Sequence, residues 1–357
     1  MLDAIEASRS SVRLESYIYA GGPVGQKFRE ALVRAQQRGV RVRVLLDALG
    51  SMGLPYHFWD ELISAGGEVR WFNPAALMRF SFRDHRKLLV CDDQVAFIGG
   101  FNIAREYHGD GVHSGWRDLG IKLVGPLAAQ LAASFEEMFK RANFQHKRFI
   151  RLRRFPVDRA ASWPPEQVLF SEPGRGRNPI KLALRGDLAR AQNVQIMVGY
   201  FLPTWRLRRH LMRVAEHGGR VQLILPGISD VPLSRLAAQS LYGRLLRHGV
   251  EIHEYQPQIL HAKLIIVDDV VYVGSSNLDQ RSLRINYELM VRLEDRDTVA
   301  EARRIFADDL GNCRRIELSD LNKSHPFWLR LKQRLAYFLL VKVDPNLARR
   351  LWRSLPE

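Results

Sequence analysis

Two stretches of the chain carry the same reactive residues at the same spacing. Residues 82–102 read FRDHRKLLVCDDQVAFIGGFN, and residues 260–277 read LHAKLIIVDDVVYVGSSN. Each contains His-x-Lys and then Asp: His85, Lys87 and Asp92 in the first, His261, Lys263 and Asp268 in the second. On a strand, side chains two apart share a face, so each histidine projects beside its lysine. The Asp has the opposite parity and opens an Asp-Asp step between two apolar runs, the mark of a hairpin turn. Asp92 and Asp268 therefore read as positioning groups at the turn rather than proton carriers. Each copy closes on a Gly-containing turn and an asparagine, Asn102 or Asn277. One copy alone reads equally well as the polar end of a half-exposed strand. Two copies in matching contexts do not.

Pairing the copies would bring two imidazoles, two ammonium groups and two amides to one point. A phosphodiester suits that set, because Lys87, Lys263, Asn102 and Asn277 can hold its charged oxygens. One histidine can attack phosphorus while the other protonates the leaving alkoxide and then takes a proton from the acceptor. No Asp/Glu/His cluster has metal-ligand spacing, so the expected chemistry uses neither metal nor cofactor.

The surrounding elements repeat as the motifs do. Residues 12–19 alternate as a strand, 24–38 have helical spacing ending at Gly39, 40–47 form a β-branched strand, 58–65 a short helix and 68–72 another strand. Residues 116–124 then read as a strand and 126–139 as a helix opening on proline. Later, residues 194–201, 207–216, 220–226 and 248–255 return the order, with RVQLILP mirroring RVRVLLD. The motif histidines lie 176 positions apart (261 − 85), close to half of 357. The pattern predicts an α/β chain built by internal duplication, each half supplying half a site.

On these motifs the sequence resembles the phospholipase D superfamily, whose hallmark is a duplicated His-x-Lys-x-x-x-x-Asp. Gly-Gly-Phe-Asn ending at Asn102, Leu14-Glu15-Ser16-Tyr17-Ile18, Trp116-Arg117-Asp118 and the run from Ser275 to Ser282 look like the bacterial cardiolipin synthases in particular. The resemblance implies two tandem α/β/α sandwich domains with the site at their interface. It also implies transfer of a phosphatidyl group from phosphatidylglycerol to a second phospholipid hydroxyl through a phosphohistidine. Hydrolysis by a phospholipase D, or cleavage of nucleic acid by a nuclease of the superfamily, are the alternatives. Family habit makes His85 the nucleophile and His261 the acid/base. It supplies each histidine with an acidic residue about thirty positions downstream, matched by Asp118 for His85 and by Glu288 for His261. Departures lie at the start: the chain opens directly in its first helix, and the paired N-terminal transmembrane helices of longer cardiolipin synthases have no counterpart.

Composition narrows the partners. Lys+Arg 54 against Asp+Glu 38 leaves a net charge of +16, which favours anionic partners, whether acidic lipid or nucleic acid. Cys91 and Cys313 are too few for a disulfide scaffold. No signal peptide and no eighteen-residue apolar run is present, so a catalytic body facing the cytoplasm is expected. The expected organisation is a first domain over 1–155, a linker or lid over 156–180 after a basic run at 140–154, and a second domain over 181–320. Residues 321–357 follow as an amphipathic segment mixing Phe327, Trp328, Leu331, Leu335 and Phe338 with Arg330, Lys332 and Arg334. That mixture suits a helix lying in a membrane interface; the competing reading is a core helix on the second half. The expected partners are thus phosphatidylglycerol and the cytoplasmic face of the cell membrane, bound peripherally, with no nucleic acid. Weaker site candidates are Glu15, Tyr200, Arg281, Ser282 and Arg284, while His108 and His113 read as exposed loop residues.

Overall fold

A computed structural model describes residues 1–74, 82–142, 164–173, 178–324 and 326–344. The basic run from residue 143 onward, residues 156–163 and 174–177 of the expected linker, and the last thirteen residues (345–357) lie outside the described residues.

The first half opens with helix α1 (Leu2–Ala7), strand β1 (Ser11–Ser16), α2 (Pro23–Gln37), β2 (Arg41–Asp47), α3 (Asp60–Ser64) and β3 (Glu68–Phe72). The motif hairpin β4 (Leu88–Cys91) and β5 (Val95–Gly99) follows, then β6 (Gly120–Val124) and α4 (Pro126–Lys140). The second half runs β7 (Glu166–Ser171), α5 (Pro179–Leu188), β8 (Asn193–Val198), α6 (Trp205–Glu216), β9 (Arg220–Pro226), α7 (Pro232–Arg247) and β10 (Glu251–Tyr255). Its hairpin is β11 (Lys263–Val267) and β12 (Val270–Gly274), followed by β13 (Glu288–Leu293), α8 (Arg296–Leu310), β14 (Cys313–Ile316), α9 (Leu318–Ser324) and α10 (Phe327–Phe338).

The sheets share one topology. The first is ordered β3-β2-β1-β4-β5-β6, and the second is β14-β10-β9-β8-β11-β12-β13-β7. Strand for strand, β10-β9-β8-β11-β12-β13 repeats the first sheet, with β14 and β7 added at its edges. The expected duplication is present at the level of strand order. In both halves a parallel pair meets an antiparallel hairpin (β2-β1-β4 and β9-β8-β11), which carries the motif residues to the sheet centre.

Two expected boundaries shift. The strand expected over 116–124 forms only at Gly120–Val124, because Arg117 is bonded instead to the other half. The expected linker contributes β7, which pairs antiparallel with β13, so it is in part a sheet edge.

Among the described residues, three apolar clusters hold the layers. The central one joins inner-face residues of both sheets, such as Leu45, Val90, Ile98, Leu264, Val273 and Leu289, with Phe135 of α4 and Phe306 of α8. The others lie under α1–α3 and under α5–α7. Because one cluster spans both halves, their relative placement is fixed by burial rather than by a tether.

Helix α10 of the C-terminal segment packs on the second half along one side only. It packs on α7, burying Gln333 and Ala336, and Arg208 of α6 donates to the Tyr337 hydroxyl at 3.0 Å. Its large apolar residues point the other way: Phe327, Trp328, Leu331, Leu335 and Phe338 are all more than half exposed. An ordinary amphipathic helix buries such a stripe. Among the described residues no helix is long and apolar enough to cross a membrane.

Candidate active site

Each motif histidine stands in the short segment just before its hairpin, and the backbone there is bonded to the opposite half. His85 N donates to the Tyr287 carbonyl, and Tyr287 N donates to the Arg83 carbonyl, both at 3.0 Å. In the mirror-image place, His261 N donates to the Arg117 carbonyl at 2.8 Å, and Arg117 N donates to the Ile259 carbonyl at 2.9 Å. Residue 288 is thereby delivered to His85, and residue 118 to His261.

The carboxylate partners are accordingly exchanged relative to the expectation from sequence. His85 Nδ1 lies 3.1 Å from Glu288 Oε2, and His261 Nδ1 lies 2.7 Å from Asp118 Oδ2. Spacing along the chain assigned each acid to the histidine of its own half, whereas the bridges between halves hand it across. Glu288 is fully buried and also accepts the Ser275 hydroxyl at 2.5 Å. Asp118 approaches so closely that a Cβ on Gly100 would lie 2.2 Å from its Oδ1. Glycine at position 100 is therefore a steric requirement of the Asp118 placement.

Both imidazoles line one open cavity of about 450 Å³, together with Asn102 and Asn277. Tyr17 lies 4.9 Å from His85 between ring centroids, and Tyr107 and Trp116 lie 5.3 and 5.6 Å from His261. The lysines are held beneath this surface. Lys87 Nζ donates to the His85 carbonyl at 2.7 Å, and Lys263 Nζ, 2.9 Å from His261 Nδ1, also donates to the His261 carbonyl. Burial pushes the Lys87 ammonium down to about 7 and that of Lys263 down to about 8, each opposed by Glu288 and Asp118. Burial, reinforced by Lys263, pushes His261 down to about 4. Burial also holds His85 below its usual value, against the pull of Glu288. Both imidazoles are thus neutral at pH 7, and each nitrogen facing away from its carboxylate is free to act as a base or nucleophile. An anion entering the cavity would draw protons back onto both lysines.

The other expected residues divide. Asn102 and Asn277 reach the cavity, but their amide oxygens also fix the strand ends, accepting Ile18 N at 3.1 Å and Tyr200 N at 3.2 Å. The Asn102 amide donates to the Tyr107 hydroxyl at 2.7 Å. Asp92 and Asp268, the third residue of each motif and read from sequence as positioning groups at the turn, stand at the far ends of β4 and β11. Seven strand residues at about 3.3 Å each put them roughly 20 Å from the histidines. Asp92 has φ 54° and caps the entry to β1, accepting Arg9 N, Ser10 N and Ser11 N at 2.8–2.9 Å. Asp268, at φ 47°, does the same for β8 through Gln192 N and Asn193 N. They hold turns and do not line the cavity.

Glu15 is buried against Arg86 at 3.1 Å and does not line the cavity. Tyr200 does line it, donating to Asp230 at 2.6 Å, as do Arg281 and Ser282. Arg284 is not among the lining residues, and His113 is exposed beside Asp110. Sequence reasoning passed over Tyr17, Tyr107, Asp230 and Asp344 as site residues, all of which line the cavity. Tyr17 sits in the quoted Leu14–Ile18 stretch, one residue beyond β1, and that position was the available signal. Among the described residues no group of three or more His, Cys, Asp or Glu side chains is arranged to hold a metal ion.

The family model described as "Cardiolipin synthase, PLD-like domain" matches residues 1–141 and 185–310, once per half. The major cardiolipin synthase ClsA of Bacillus subtilis is 31% identical over 346 residues, covering 95% of this chain and 72% of that protein. Cardiolipin synthase B of Salmonella typhi is 30% identical over 348 residues, covering 95% and 84%. Among solved structures, phosphatidylserine synthase of Haemophilus influenzae superposes with a TM-score of 0.74 at 15% identity, covering 97% of this chain and 91% of that one. That likeness establishes the shared fold. The duplicated domain match and relatives aligned along 95% of this chain together place it in the cardiolipin synthase family of phospholipase D-like proteins.

Proposed function

We propose that the protein is a phosphatidyltransferase of the cardiolipin synthase type, joining two phosphatidylglycerols through a phosphohistidine. The observation that carries this reading is the crossed arrangement: two neutral imidazoles face one cavity, each backed by a carboxylate from the other half. His85 Nε2 attacks phosphorus of the donor, forming the N–P bond as the P–O bond to glycerol breaks. The donor's phosphodiester charge first draws a proton from water onto His261, whose imidazolium Asp118 stabilises, and His261 then gives that proton to the departing glycerol oxygen. The acceptor's hydroxyl then gives its proton to His261 and attacks phosphorus, forming cardiolipin and freeing His85. Buried positive charge from Lys87 and Lys263 opposes the growing charge on the phosphoryl oxygens, and the amides of Asn102 and Asn277 lie at the same surface. Glu288 holds His85 in the tautomer that presents Nε2.

Membrane placement follows from the outward stripe of α10. Its apolar residues stand beside Lys332, which lies over the Trp328 ring at 4.8 Å, and the same segment supplies Leu340 to the cavity wall. A basic, aromatic, apolar face continuous with the cavity mouth suits the headgroup region of an anionic bilayer, on the cytoplasmic side. The domain division proposed is 1–155 and 181–320, the second joined by β7 (Glu166–Ser171) at its sheet edge, with the C-terminal segment as the membrane-associating part.

The test is incubation of the full chain with phosphatidylglycerol vesicles in EDTA, with products read by mass spectrometry. Cardiolipin plus glycerol, abolished in His85→Ala, is the expected outcome. Phosphatidic acid alone would make the protein a hydrolase. No lipid product, with cleavage of single-stranded nucleic acid instead, would overturn the lipid reading.

A further inference from the structure

Joining two phosphatidylglycerols requires two phosphodiesters in one cavity. The histidine–lysine centre accounts for the donor's phosphate, while the acceptor carries a second anion only a glycerol away. We infer that Arg281 is the seat of this second phosphate and that Asp344, from the C-terminal segment, fills the seat as a carboxylate plug until lipid displaces it. The inference rests on the transferase reading above.

Among the described residues, two guanidinium groups line the cavity, those of Arg83 and Arg281. Arg83 is committed to the architecture: it is 5% exposed and pairs at 3.2 Å with Asp47, which is fully buried and also accepts Leu49 N and Gly50 N. Arg281 differs on each count. Its side chain is 42% exposed and its partner Asp344 is 26% exposed, so the pair is open to exchange. The contact is a two-pronged fork, Nε to Oδ2 at 2.7 Å and Nη2 to Oδ1 at 2.6 Å. Two non-bridging phosphate oxygens engage the same fork. Arg281 is also tied to the reacting centre: its charge reaches Tyr17, whose ring lies against His85.

The position of Asp344 supplies the release. It follows directly on the segment Leu339–Val343, which continues α10, and Leu340 of that segment lines the same cavity. If the exposed stripe of α10 enters an anionic interface, the Asp344 carboxylate is brought against like charge while lipid phosphate arrives at high local concentration. Exchange of one anion for another on Arg281 would then couple membrane docking to acceptor binding.

Transfer and hydrolysis share one phosphohistidine, so the ratio of cardiolipin to phosphatidic acid isolates acceptor binding from donor cleavage. The assay uses acyl-labelled phosphatidylglycerol at low mole fraction in phosphatidylcholine vesicles with the full chain. Asp344→Asn is expected to raise the ratio about threefold to fivefold, since a half-exposed ion pair competes only weakly. Arg281→Gln is expected to lower it about tenfold, and Arg281→Lys to fall between, keeping the charge but losing the fork. If both Arg281 variants lower the two products in equal proportion, Arg281 is a structural clasp and the inference fails. An unchanged or lower ratio in Asp344→Asn overturns the plug while wild-type cardiolipin synthesis stands. A wild type that makes no cardiolipin overturns the transferase reading itself.

Discussion

The exchange of carboxylates between halves can be measured as a coupling energy. Asp118→Ala strips His261 of an acceptor 2.7 Å away, and His261→Ala leaves the Asp118 carboxylate buried without its imidazole. Both side chains are 6% exposed, so water compensates little for either loss. A buried hydrogen bond to a charged group contributes about 1.5–3 kcal/mol, so the Asp118/His261 double-mutant cycle should return a coupling of that size. His85 and Glu288, at 3.1 Å and 13% and 0% exposure, should give a similar value nearer the low end. Pairs drawn from the same half, His85 with Asp118 and His261 with Glu288, should couple by less than about 0.5 kcal/mol, as residues without direct contact do. The assay is urea unfolding of the four proteins in each cycle, which needs no substrate and works equally well on inactive variants. A large same-half coupling with a small crossed one would refute the geometry and every role assigned from it.

Further outcomes follow from the same structure. Lys87 and Lys263, at about 7 and 8 against an ordinary 10.5, bind fewer protons folded than unfolded between those limits, so the ligand-free protein should gain stability as pH rises from 7 toward 10. By the same reasoning kcat/KM, which reports the free enzyme, should fall above about pH 8 while kcat falls later; a kcat/KM flat to pH 9 would contradict it. Asp92→Ala leaves three backbone N–H donors at a turn without their carboxylate acceptor and should cost about 1–3 kcal/mol, seen as a Tm lower by several degrees, with kcat within about twofold. A large loss of kcat in a fully folded Asp92→Ala would return that residue to the chemistry. Replacing Leu331 and Leu335 by serine should weaken sedimentation with phosphatidylglycerol vesicles about tenfold or more at unchanged Tm, because both side chains already face solvent. A Tm drop with unchanged vesicle binding would make the stripe part of a core.

How much was legible in the residues depends on the range of the interaction. Strand periodicity, the proline and glycine stops and the recurrence of one motif are local patterns, and they determined the α/β character and the duplication and singled out His85, Lys87, His261 and Lys263 as candidates. They also determined that Asp92 and Asp268 sit in turns, since an Asp-Asp step between apolar runs has few other places to go. What spacing did not carry is which acid serves which histidine. Asp118 and Glu288 are each strand-end carboxylates roughly thirty residues beyond a histidine. Only the backbone bridges from Tyr287 to His85 and from Arg117 to His261 send each acid to the other half. The strand expected to begin at Trp116 begins at Gly120 for the same reason, because residue 117 gives its hydrogen bonds across the interface. The outward face of α10 and the reach of Asp344 to Arg281 were likewise decided by tertiary packing. Periodicity marks an apolar stripe but not whether a neighbour covers it, and α7 had already taken the opposite side.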